Sequence, residues 1–186
     1  MANQRYHIFI STSGQRMERD YAMVCQTLVN MGHFISGVQQ CHQSQATSIR
    51  RQIDISDYVV VLQGDSYGEE APFGVSHVQL EYIYAMARQK PIFVICLNQL
   101  SLNQSVDQQE KLIAFQNSFK QDQTHVMRYL CVYELVKKLK HEFPVFIKDH
   151  PSMGWVKNQE TADLQSQIFD LEKQIFCLEQ YNKRPA

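Results

Sequence analysis

The sequence predicts an α/β fold built on a parallel sheet of four or five strands with helices on both faces. The first observation behind this is the stretch Ser56–Leu97. It reads as a strand (Tyr58–Leu62), a polar glycine-bearing loop (Gln63–Gly74), a helix carrying Glu81 and a second strand (Ile92–Leu97). Both strand runs are nearly all apolar, whereas a half-solvated strand would alternate polar and apolar residues, so these strands are covered on both faces. The second observation is that strand-like and helix-like runs alternate from Tyr6 to Phe143. Right-handed crossovers between parallel strands then place helices on both sides of the sheet. Ligands of open parallel sheets sit in the crevice at the carboxyl ends of the strands, where the loop Gly64–Gly68 falls.

Taken in order, Tyr6–Ile10 is a compact β-rich run that ends in the polar cluster Ser11–Gly14. Gln15–Met31 carries Tyr21, Val24, Cys25, Leu28, Val29 and Met31 at helical spacing, and Gly32 stops it as a C-cap. A small-residue turn between strand and helix presents backbone N–H groups and hydroxyls that hold an anion or a ribose. The same serines and threonine also serve simply as helix caps. Phe34–Val38 is a second strand, and Ala46–Asp54 a short helix with the apolar positions Ile49, Ile53 and Ile55 toward the sheet. After the central unit, Gln108–Phe119 is an amphipathic helix, Thr124–Tyr129 a short edge strand and Val132–Glu142 a last helix. Pro144–Trp155, with two prolines and no periodicity, reads as a linker. Beyond it Leu164, Ile168, Leu171, Ile175 and Leu178 recur at intervals of 4, 3, 4 and 3, the seam of a coiled coil. Such a stripe needs a partner, either a second copy of the chain or the domain itself.

At 186 residues the chain accommodates one ordinary domain plus an appendage. Its 44% hydrophobic and 20% charged residues are those of a globular protein, and no window approaches a membrane span. The amino terminus has no apolar signal segment, so a cytoplasmic location is expected. A net charge of −1 leaves no electrostatic footprint for nucleic acid or an anionic membrane. The five cysteines contain no CxxC pair and suggest neither a disulfide framework nor a metal site.

Three separated segments carry a family resemblance: YHIFISTSGQRMERDYA near the start, ISDYVVVLQGDSYGEEAPFGVSHVQLEYIYAMARQKPIFVI at the centre, and PSMGWVKN before the heptads. Together they resemble an uncharacterised bacterial TIR-like domain family. In it, an IFISST-type strand, a Glu-Arg pair (here Glu18 and Arg19), a DxYG loop and an SxxxxEY helix precede Gly-Trp-Val and a coiled coil. More distantly the layout is similar to TIR domains and nucleoside 2-deoxyribosyltransferases, both flavodoxin-like folds that work at an N-glycosidic bond. The resemblance implies a TIR-like α/β domain over 1–143, a linker over 144–158 and an oligomerisation helix over 159–182. It further implies cleavage or cyclisation of NAD in anti-phage defence, with NAD as substrate rather than cofactor. A homo-oligomer through the C-terminal helix and an effector or sensor partner belong to the same expectation.

Glu81 corresponds to the glutamate that engages the sugar in those relatives and is the candidate catalytic carboxylate. A ribosyl–nicotinamide bond breaks through an oxocarbenium-like state, which needs a carboxylate near the ribose and a shaped, dry pocket. Ser76 caps the helix, while Asp65, Tyr67 and Gly68 line the loop, the tyrosine able to stack on a base. Ser11, Ser13 and Gly14 are placed to hold ribose hydroxyls or phosphate, and Arg16 a phosphate. Each has a structural reading as well: a glutamate near a helix start is favoured by the macrodipole, and loop glycines satisfy turn geometry. Two other functions stand beside NAD processing: a non-catalytic self-assembling or nucleotide-sensing module, and a nucleoside deoxyribosyltransferase-like hydrolase.

Overall fold

The computed structural model describes residues 4–13, 17–37, 46–98, 105–119 and 124–155, together with Ile168, Phe169, Leu171 and Lys173. Within the compact unit Arg5–Trp155 the elements alternate as β1 (His7–Thr12), α1 (Glu18–Asn30), β2 (Phe34–Ser36), α2 (Ala46–Ile55), β3 (Tyr58–Gln63), α3 (His77–Ala87), β4 (Ile92–Leu97), α4 (Val106–Asn117), β5 (Thr124–Tyr129) and α5 (Val132–Asp149). The strands form one parallel five-stranded sheet in the order β2-β1-β3-β4-β5, the flavodoxin-like arrangement the sequence leads one to expect.

The chain steps from β1 to β2 in one direction and from β3 to β5 in the other. With crossovers of one hand, that reversal sends helices to opposite faces. One face buries Ile8, Ile10, Tyr58, Val60, Leu62, Phe93 and Ile95 against Val24 and Leu28 of α1 and Leu135, Leu139, Phe143 and Phe146 of α5. The other buries Phe9, Val59, Val61, Ile92, Val94 and Cys96 against Ile49 and Ile53 of α2, Val78, Tyr82 and Ala85 of α3, and Leu112 and Phe115 of α4. β3 is buried along its entire length, which is why its sequence shows no alternation.

Several boundaries differ from the sequence reading. β1 continues through Ser11 and Thr12, and β3 through Gln63, because their ladder partners Val61, Leu62 and Cys96 carry the pairing onward. The last helix does not stop at Glu142 but runs through Pro144 to Asp149. A proline inside a helix loses one backbone bond and costs about 3 kcal/mol, but Phe143 and Phe146 on either side are fully buried in the core and offset that cost. From Pro151 to Trp155 the chain returns to β1, where Arg5 and Trp155 exchange backbone hydrogen bonds at 2.8 and 2.6 Å. Asp57 secures this return, accepting from the Ser152 hydroxyl, the Gly154 N–H and the His7 N–H. Gly32 ends α1 as expected, with φ of +92°.

Of the heptad segment, Ile168, Phe169 and Leu171 are helical and exposed. Leu164, Ile175 and Leu178 lie outside the described residues. No helix among the described residues is long and apolar enough to cross a membrane.

Candidate functional site

The strand order reverses at β1 and β3, so the crevice of this fold lies beyond their carboxyl ends. There the Ser13 hydroxyl accepts a hydrogen bond from the Gly64 N–H at 3.0 Å, and the Ser13 N–H donates to the Leu62 carbonyl. Two glycines allow the close approach. A Cβ on Gly64 would lie 2.6 Å from Met17 Sδ, and one on Gly68, whose φ is +90°, 3.0 Å from the Ser13 carbonyl oxygen. The loop after β3 is therefore pressed against the end of β1. Ser13 and Gly68 are thus brought together at the carboxyl ends of β1 and β3. Gly14 and Arg16 lie outside the described residues.

Tyr67 departs from expectation. Its ring is buried against Phe115, while its hydroxyl donates to Gln79 Oε1 and accepts from the Ser76 N–H. With no free ring face it braces the loop on α3 instead of stacking on a base. Ser76 caps α3 as expected, its hydroxyl accepting from the Gln79 N–H at 3.2 Å. The far side of the loop is tied to α4 through Glu70, which accepts from Gln108 and from Lys111. Asp65 is half-buried and adds negative charge near Tyr129. That tyrosine's pKa is raised first by burial and then by the hydrogen bond its hydroxyl donates to Asp20.

The strand ends carry polar side chains that the apolar pattern did not single out. Ser11 on β1 and Gln63 on β3 are 1% and 0% exposed, and the Ser11 Oγ and Gln63 Oε1 have no hydrogen-bond partner among the described residues; the same holds for the buried Oγ of Ser36 on β2. Strand alternation puts Ser11 on the face of Phe9 and Gln63 on that of Val59 and Val61, while Ser36 pairs with Phe9. All three therefore share the face covered by α2 and α3, as a diagonal rising from β2 to β3. Buried polar atoms are almost always satisfied in folded proteins, so this row beside the switch point, like the buried hydroxyls of Thr12 and Thr124, calls for a water or a further group. Of the three, Ser11 is a candidate of the sequence reading, while Gln63 shows only as a polar residue closing an otherwise apolar run.

Glu81 stands on α3 above this face. Its flank is defined by Tyr84 and Arg88, three and seven residues further on, both of which donate to Asp54 of α2. Half-buried, Glu81 lies in the second turn of α3, on the flank that Tyr84 and Arg88 turn toward α2.

The model of a family described as "Domain of unknown function (DUF4062)" matches residues 7–144, from the first residue of β1 into α5. The chain belongs to this family. Among solved structures, a CMP N-glycosidase from Clostridium botulinum is similar at 16% identity and a TM-score of 0.46, over 72% of this chain and 97% of that one. No curated protein matches the chain.

In this DUF4062 domain the described residues contain no group of three or more histidine, cysteine, aspartate or glutamate side chains placed to hold a metal ion. Cys96 stands beside Gln63 in the register, but burial pushes its thiol up to about 11, which makes it a core residue rather than a nucleophile. The chemistry available is that of half-buried carboxylates, Glu81 on α3 and Asp65 on the loop, beside a row of neutral donors and acceptors. Such a set can orient a polyhydroxylated ligand and stabilise a developing positive charge.

Proposed function

We propose that this domain binds a nucleotide at the β1/β3 crevice and breaks its N-glycosidic bond, with NAD the first substrate to test. The observation that carries this reading is the diagonal of buried polar side chains without partners among the described residues, Ser36, Ser11 and Gln63, on the sheet face that α3, the helix of Glu81, helps to cover. Neutral hydroxyl and amide groups suit a pentose. The Glu81 carboxylate suits the oxocarbenium-like state that forms as the base departs, and nicotinamide, leaving as a neutral molecule, needs no strong acid. Glu81 would shield the cationic sugar, and water or an internal nucleophile would capture it to give hydrolysis or cyclisation. The resemblance to bacterial TIR proteins supports NAD as substrate, anti-phage defence as setting and assembly through residues 159–182.

The test incubates the purified full chain, alone and concentrated, with NAD, nucleoside monophosphates and deoxynucleosides, and follows base release by chromatography. Turnover that falls about a hundredfold or more in Glu81→Gln, within the range expected for a positioned catalytic side chain, supports the reading. Ligand binding without base release by the wild type would leave a sensing module in its place.

A further inference from the structure

We propose that Gln63 is a specificity-determining residue that selects a ribose over a deoxyribose, an inference that rests on the nucleotide reading of the same crevice. Its orientation follows from its surroundings. Gln63 Nε2 donates to the Ser66 carbonyl oxygen at 2.6 Å and lies 3.5 Å from that of Gly64. Exchanging the amide nitrogen and oxygen would set an oxygen against two carbonyl oxygens, so only one orientation is tenable. The bond to Ser66, three residues beyond the strand end, also draws the side chain over the carboxyl edge of β3. Oε1 is left as a buried acceptor with no donor among the described residues, held in place by the loop that Ser13 and Tyr67 brace.

A fixed, uncharged acceptor demands an N–H or O–H from its ligand and repels an anion, so the phosphate of a nucleotide does not belong there. The adjacent strand supplies Ser11, a hydroxyl that both donates and accepts, one diagonal step away on the same face. An acceptor beside a hydroxyl matches the two neighbouring hydroxyls of a ribose. A deoxyribose lacks one of them and would leave a buried group unpaired. Sites that hydrogen-bond a ligand hydroxyl discriminate against the analogue without it for this reason.

The experiment measures binding of NAD, AMP and CMP, and of their 2′-deoxy and 3′-deoxy counterparts, by titration calorimetry on wild type, Glu81→Gln and Gln63→Met. The wild type and Glu81→Gln are expected to bind at least one ribose ligand about tenfold or more tightly than a deoxy counterpart, the scale of one buried hydrogen bond. Gln63→Met, close in volume, is expected to erase that difference by weakening the ribose ligand. Gln63→Leu, likewise without an acceptor, should erase the preference in the same way and serves if the methionine variant does not fold. Equal affinity for ribose and deoxyribose ligands in the wild type overturns the proposal. So does absence of binding, a preference that survives in Gln63→Met, or a crystal structure of the complex in which only a buried water meets Oε1. Binding with ribose preference but no turnover would refute the glycosidic reaction and leave the role of Gln63 standing.

Discussion

The hydroxyl of Ser13 accepts the Gly64 N–H at 3.0 Å, joining the carboxyl ends of two neighbouring strands whose chain positions are 51 residues apart. Ser13 is 6% exposed, so no bulk water stands ready to replace it. In Ser13→Ala the buried N–H loses its partner, and a loss of about 1–3 kcal/mol in unfolding free energy is expected. Urea titration with unchanged slope checks it, and a variant as stable as the wild type would refute this account of the bond.

Two glycines at nearly the same dihedral separate backbone strain from steric conflict. Gly32 (φ +92°) has nothing within 4 Å of a built Cβ, whereas the Cβ at Gly68 (φ +90°) would lie 3.0 Å from the Ser13 carbonyl oxygen. Gly32→Ala is expected to cost about 1–3 kcal/mol for the left-handed conformation alone. Gly68→Ala should cost more and should also weaken nucleotide binding, because the loop must lift from β1. Thermal unfolding of the two variants side by side decides the order.

His33 gives stability a pH dependence. Its ring lies between Tyr6 and Phe143, at 5.5 and 5.8 Å between centroids, and burial lowers its pKa. The unfolded chain therefore binds the proton more readily than the folded one, so stability falls as pH drops through the ordinary histidine value, about 6.5. The loss levels off below the lowered folded value. Calorimetric melting between pH 7.5 and 5 is expected to show this decline, and His33→Phe to flatten it.

Removal of everything after Trp155 tests the role of the heptad segment. Ile168, Phe169 and Leu171 expose large apolar side chains on a helix, and light scattering is expected to report a smaller assembly for the truncated chain than for the full one. An unchanged mass would sink self-association through this segment. The compact unit Arg5–Trp155 retains its core in such a variant and should melt cooperatively.

The alternation of all-apolar runs with helical spacing carried the fold, because a strand covered on both faces must be apolar at every position. The same uniformity hid the site. A polar residue commonly closes a strand and serines favour turns, so local chemistry points Gln63 to the loop and Ser11 to a turn; pairing with Cys96 and Val61 places both in the ladder. Local chemistry disfavours Pro144 inside a helix and so points to a helix end there, whereas the burial of Phe143 and Phe146 explains why the helix continues.

By itself the sequence determined the strand–helix alternation, the loop after β3, the Ser76 cap and the position of Glu81 on α3, all set by residues close in the chain. What only the tertiary structure decided was which side chains share a face. Ser36, Ser11 and Gln63 come from three separate segments and become a single row only when parallel register aligns their strands. Tyr67 likewise changed from a ligand platform to a brace once Phe115 covered its ring. Register and burial depend on contacts between distant parts of the chain, and local spacing carries no record of them.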